Sequence, residues 1–255
     1  MSSIVDRLAL LARTEGEFDI DIRDSYFALR TAAGLIGLIL PIIVVVWGRS
    51  HGIQWKDMSS LSAFYWLSQM PTDPVVPLRN CFVGSLIAVG TCLVIYRGYG
   101  NLENWLLNLA GLAAVLVALN PMPWPGLHVD PLRIHYGAAI TFFVLIAATV
   151  WFCARDTLAM VSNSRARARW DRAYRVFAIA MVAAPLAALV VAKEDNRTIL
   201  IEWAGVWVFS AYWFVKTYEL ARVSKVEPPS GPQPHVRRRG GRLEVIRCTI
   251  PDARR

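Results

Sequence analysis

IHYGAAITFFVLIAATVWFCA, Ile134 to Ala154, runs for 21 residues without one Asp, Glu, Lys or Arg. A helix rises about 1.5 Å per residue, so about 20 apolar residues cross the roughly 30 Å hydrocarbon core of a bilayer. A water-facing helix would interrupt its apolar stripe with polar residues at every turn, and this stretch does not. Five further runs share the character: Tyr26–Trp47, Asn80–Tyr96, Glu103–Asn120, Tyr174–Ala192 and Ile199–Leu220. The expected fold is therefore all-α, a polytopic membrane protein built as a bundle of six transmembrane helices. Residues 1–25 form an N-terminal segment, 26–221 the transmembrane domain, and 222–255 a basic tail.

The charge of +8 is sorted by position. With six spans and both termini on one side, 21 of the 27 Lys and Arg fall on that side. They include the cluster from Arg155 to Arg175 and ten residues from Lys216 onward. The positive-inside rule then places both termini in the cytoplasm, and anionic cytoplasmic lipid favours the same arrangement. This sorting argues for a membrane protein with cytoplasmic termini and against nucleic acid as the partner. The first 25 residues are charged and only weakly apolar, so no cleavable signal peptide is expected. Ile4, Leu8 and Leu11 suit a short amphipathic helix on the inner surface.

Pro41 and Pro185 fall inside expected spans, where neighbouring helices can satisfy the backbone group a proline frees. Gly34 and Gly37 would admit a second helix at close range. Ser59–Met70 mixes serines with aromatic residues and reads as a short helix lying at the outer interface. PTDPVVP, Pro71–Pro77, leads from it as an extended approach. Ser162, Asn163 and Ser164 offer caps for the fifth helix. VEPPSGPQPHVRRRGGR in the tail is rich in Pro, Gly and Arg and is expected to be disordered. The four cysteines show neither a C-x-x-C pair nor metal spacing and read as small buried hydrophobes.

Polar residues within spans are costly, and each is a candidate for function. Helix directions bring Arg79, Asn80, His135, Tyr136 and Glu202 to one level near the outer surface, with Ser62 and Tyr65 on the loop above. There Arg79 and Glu202 could neutralise each other as an arginine–carboxylate pair. Polar residues also belong ordinarily at helix ends, where long side chains snorkel to water. Asn108, Ser210 and Tyr212 are expected to hydrogen-bond between helices. His51, His128 and His135 fall on the outer side, but no H-x-x-x-H sets two ligands on one face, so neither metal nor cofactor is expected. No phosphate loop, G-x-G-x-x-G or G-x-S-x-G is present.

The order of motifs along residues 26–220 is also informative. SLSAFY, LRNCFVG with LIAVG and YRGY, NLAGLAAVLVALNP, IHY and IEWAGVWVFSAYW together resemble a set of uncharacterised bacterial six-helix membrane proteins. These are Frag1/DRAM-like proteins and related domains of unknown function, with a looser likeness to the CREST group of membrane hydrolases and receptors. The resemblance implies Ser62, Tyr65, Arg79, Asn108, His135 and Glu202 as site positions. It departs at Asn80, where the pattern has Asp, and it lacks the multiple-histidine metal set of the CREST hydrolases. The leading expectation is a non-enzymatic protein that binds membrane lipid or a small amphiphile in an outer-leaflet pocket. In it Arg79 would hold the head group, with His135, Tyr136 and Glu202 orienting it. A lipid hydrolase using His135 or Glu202 as base, and a small transporter or channel, stand as alternatives. Oligomeric state is left open.

Overall fold

The computed structural model describes the backbone of residues 2–67, 78–124, 133–161, 163–192, 194–223, 235–239 and 242–246. Side chains are described over 24–67, 78–124, 133–158, 161, 163–192 and 195–222. The helices are α1 (Ser2–Ser50), α2 (Phe64–Leu67), α3 (Leu78–Ile95), α4 (Asn101–Leu119), α5 (Ile134–Phe152), α6 (Ser164–Val191) and α7 (Arg197–Val223). All but the one-turn α2 are long and apolar enough to cross a membrane, so six helices make a multi-pass membrane protein.

The six spans form a ring in chain order. Each packs on the next, α1 on α3, α3 on α4, α4 on α5, α5 on α6 and α6 on α7, and α7 closes the ring against α1. The seam between α5 and α6 is the slackest of the six. Two apolar cores fill the centre. One, at the end where α1, α4 and α7 meet the loop after Ser50, contains Val44, Met58, Phe64, Leu78, Phe82 and Ile199. The other, toward the opposite end, contains Leu93, Leu107, Ile146, Tyr174, Tyr212 and Trp213. We call these the cap end and the basic end.

α1 is one continuous helix of 49 residues, about 73 Å long at 1.5 Å per residue. Its apolar part begins at Asp24. The segment read as a separate amphipathic helix is thus the forward extension of the first span. The helix also continues through Pro41. The fifth span starts at Ser164, ten residues before the apolar run. Asn163 opens it by accepting the amide N–H groups of Arg165 and Ala166 at 2.9 and 3.1 Å, which satisfies two of the orphan donors of a first turn.

Small residues set the tightest crossings. A Cβ on Gly37 would come within 2.6 Å of Ser210 Oγ, and one on Gly34 within 3.1 Å of Phe214, so this glycine pair admits α7. Ser210 itself donates to Val206 O of its own helix at 3.0 Å, not to a neighbour as expected. Between α3 and α4 the approach is backbone to backbone. A Cβ on Gly90 would lie 2.7 Å from Gly111 O, and one on Gly111 2.6 Å from Gly90 O. In a membrane, where oil surrounds both faces, such close van der Waals contact drives helix association.

Cys153 is buried and Cys81 and Cys92 are half-buried, all three as free thiols. In the tail, His235–Arg239 and Arg242–Ile246 pair as a short antiparallel hairpin, with His235 opposite Ile246. Pro71–Pro77, His128 and Cys248 lie outside the described residues.

Candidate functional site: a capped cleft and a buried charge cluster

At the cap end, the chain between α1 and α3 turns into the bundle. Met58, Leu61, Ala63, Phe64 and Leu67 are all buried. This overturns the expectation of a helix lying flat at the interface. Five apolar side chains within ten residues gain more by burial in the ring than by partial exposure at the surface. Among the described residues of Ser59–Met70, one helical turn, α2, forms.

The first turns of α7 hold this cap in place. Asn196 Nδ2 donates to Trp55 O and Met58 O at 2.6 and 3.1 Å. The Ile199 amide donates to Ser59 O at 2.9 Å, satisfying an N–H that a helix start would otherwise leave bare. Glu202 accepts the Leu61 amide at 2.5 Å and the Ser62 hydroxyl at 3.2 Å. Ile199 and Glu202, three residues apart, share one face of α7, and Asn196 stands in the turn just before the helix. On the far side, Trp66 Nε1 donates to Met122 O at 2.9 Å.

Arg79 therefore does not pair with Glu202; among the described residues no ion pair joins them. Arg79 Nη2 instead donates to the Tyr65 hydroxyl at 2.5 Å, and its guanidinium lies 4.1 Å from the centre of that ring. Such cation–π stacking suits the flat, weakly hydrated guanidinium. His135 is buried, with Nδ1 2.7 Å from Asn120 O, so it ties the end of α4 to the start of α5. Asn80 and Tyr136 lie exposed on the outside of the bundle. Of the seven expected residues, Ser62 and Glu202 meet, Tyr65 and Arg79 meet, and the other three stand apart from both pairs.

Beneath the cap is a cleft of about 70 Å³ that opens at the bundle surface. Its walls are apolar: Leu40, Phe82, Val117, Ala139, Phe142 and Phe143 are among them. Ser62 and Glu202 are the polar residues of its lining. The same carboxylate thus holds the cap and faces the cleft.

The basic end holds charge that the sequence reading treated only as topology. Lys216 and Glu219 are 1% and 0% exposed, fully inside the bundle. Lys216 Nζ donates to Ala154 O at 2.6 Å, to Thr157 Oγ1 at 2.5 Å and to Glu219 Oε2 at 3.0 Å. Thr157 passes its hydroxyl hydrogen to Glu219 Oε1 at 2.9 Å, and the Tyr174 hydroxyl also donates to this carboxylate. Every donor of the ammonium and both oxygens of the carboxylate are engaged, the condition under which a buried ion pair is tolerated. Close by, buried Arg30 stacks on Tyr96 at 4.5 Å. Buried Glu103 accepts the Tyr99 amide at 2.8 Å and closes the short turn between α3 and α4. Burial pushes the Tyr99 phenol above its usual range, and the Arg30 guanidinium beside it acts in the opposite sense.

Among the described residues, no three of His, Cys, Asp and Glu gather closely enough to hold a metal ion. Searches against protein-family models, curated proteins and solved structures find no match to this chain.

Proposed function

We propose that this multi-pass protein binds a single-chain lipid or similar small amphiphile in the cleft beneath the cap. One observation carries the reading: a cleft open to the bundle surface whose lining is apolar except for Ser62 and Glu202. Ligand sites are typically apolar clefts with a few placed polar groups. The acyl chain would lie along Phe82, Phe142 and Phe143. The head would present hydroxyl or amine donors to Glu202 and Ser62. Arg79, one turn before Phe82 on α3 and already oriented by Tyr65, supplies a cation for an acidic group on the same head. This replaces the head-group site centred on an Arg79–Glu202 pair, because each of those residues has its own partner in the cap.

The distribution of Lys and Arg supports an inner-membrane location, with cytoplasmic termini and the cap facing the outer leaflet. On the order of its motifs, we group the chain with the Frag1/DRAM-like six-helix proteins. Nothing in the site favours the hydrolase reading: His135 is buried against a backbone carbonyl and Glu202 is bonded to the cap.

The reading is tested by filling the cleft. Ala139 lies on its wall, half-buried. Ala139→Phe should weaken binding of an acyl-labelled lysophosphatidylethanolamine to the detergent-purified protein by about tenfold, since the ring takes the chain's place. Affinity within twofold of wild type in a folded variant would remove the cleft from consideration.

A further inference from the structure

A second opening lies at the basic end, on the slack seam between α5 and α6. It holds about 170 Å³ and is lined by Val150, Trp151, Arg155, Tyr174, Arg175 and Ala178. We infer that this cleft is a binding site for the head group of a net-anionic glycerophospholipid in the leaflet facing the basic end.

Three independent features meet there. The first is level. Arg155 directly follows the apolar run of α5, and Arg175 directly precedes Val176 and the apolar part of α6. Both guanidiniums therefore sit at the depth where hydrocarbon gives way to head groups. The half-exposed indole of Trp151 lies at the same level, as interfacial tryptophans do.

The second is charge. Arg155 and Arg175 share one carboxylate, Asp171, at 3.8 and 2.7 Å. Two cations against one anion leave a net positive charge in the cleft. Arg155 Nη2 also donates to Trp151 O at 3.2 Å, and with the Arg155 and Arg175 side chains 40% and 61% exposed, both guanidiniums remain accessible to a ligand. An arginine presents five donors in a planar fork that matches a phosphate. Asp171 acts as a positioning residue that holds the two forks side by side.

The third is the continuation of the cleft along the bundle. Ile179, Val182 and Leu186 leave an exposed apolar strip on α6 that runs away from the arginines toward the cap end. An acyl chain attached to a head group in the cleft would follow it. The exposed arginines Arg165 and Arg169, farther out on α6, are not among the residues that line the cleft.

The test is native mass spectrometry on full-length protein equilibrated with equal amounts of phosphatidylglycerol and phosphatidylcholine of the same acyl length. Wild type should retain phosphatidylglycerol with about tenfold preference, given the contribution of basic residues at an anionic lipid surface. Arg155→Gln with Arg175→Gln should bring the preference to within about twofold of none. Arg165→Gln with Arg169→Gln should leave it at the wild-type value, because those arginines do not line the cleft. If the first double variant fails to fold, Arg175→Gln alone should lower the preference about threefold. Absence of a preference in wild type, its persistence in the cleft variants, or equal loss in the outer pair would each overturn the site. The last result would mean that anionic lipid responds only to total basic charge.

Discussion

Glu219→Ala should destabilise the protein by about 3–5 kcal/mol, because it strands the Lys216 ammonium inside the bundle without its carboxylate. Lys216 and Glu219 are almost wholly inaccessible, and their bonds run within a network that also includes Thr157 and Tyr174. Lys216→Met should cost a comparable amount, since it leaves the carboxylate as the uncompensated charge. The two together should cost much less than their sum. Replacing a buried ion pair by apolar groups of similar volume removes the desolvation penalty along with the attraction. Equilibrium unfolding in mixed micelles of the two single variants and the double variant measures this coupling. Simple additivity would show that the network contributes little, despite its geometry.

Gly111→Leu should cost about 3 kcal/mol, the upper part of the range for overpacking a close contact. A Cβ at this position would meet Gly90 O at 2.6 Å, the Val94 side chain at 2.8 Å and Leu93 Cβ at 3.3 Å. The nearest obstacle is backbone, which cannot rotate away, so α3 and α4 must separate. Gly84, on the partner helix α3, provides a contrast, because nothing lies within 4 Å of a Cβ placed there. Gly84→Leu should change the unfolding midpoint little, and equal losses at both positions would contradict the crossing.

The spans were legible in the sequence because a bilayer integrates hydropathy over about 20 residues, and single exceptions do not disturb the sum. Helix ends were less so. The apolar run of the fifth span begins only at Tyr174, and it was the capping residues, of which Asn163 is the one used, that marked a start ahead of the arginines. A transmembrane helix can begin well outside the oil once its first amides have acceptors.

The site was half legible for a related reason. Sequence places residues at a depth along each helix, but not at an angle around the bundle. Arg79 and Glu202 share a depth. In the ring, however, α1 stands between α3 and α7, so each residue found its partner in the cap instead. The cap's inward turn was visible only as spacing, in the apolar residues Met58, Leu61, Phe64 and Leu67, and its aromatic content pointed to the interface. The inner cluster was missed because Lys216 was counted as a topological charge. Its signal was present in WFVKTYEL, Trp213–Leu220, where opposite charges three residues apart interrupt an apolar helix.

The central claim is that an amphiphile occupies the interior cleft, as distinct from coating the outside of the bundle. Photolabelling with a lysophospholipid carrying a diazirine in its acyl chain, followed by peptide mapping, separates the two directly. Labels should fall on Phe82, Phe142 and Phe143, which line the cleft, and should decline when unlabelled lysophospholipid is added. Labels confined to lipid-facing residues such as Val94, Leu112, Val144 and Val190, all well exposed on the outside of the bundle, and undiminished by competitor, would contradict it.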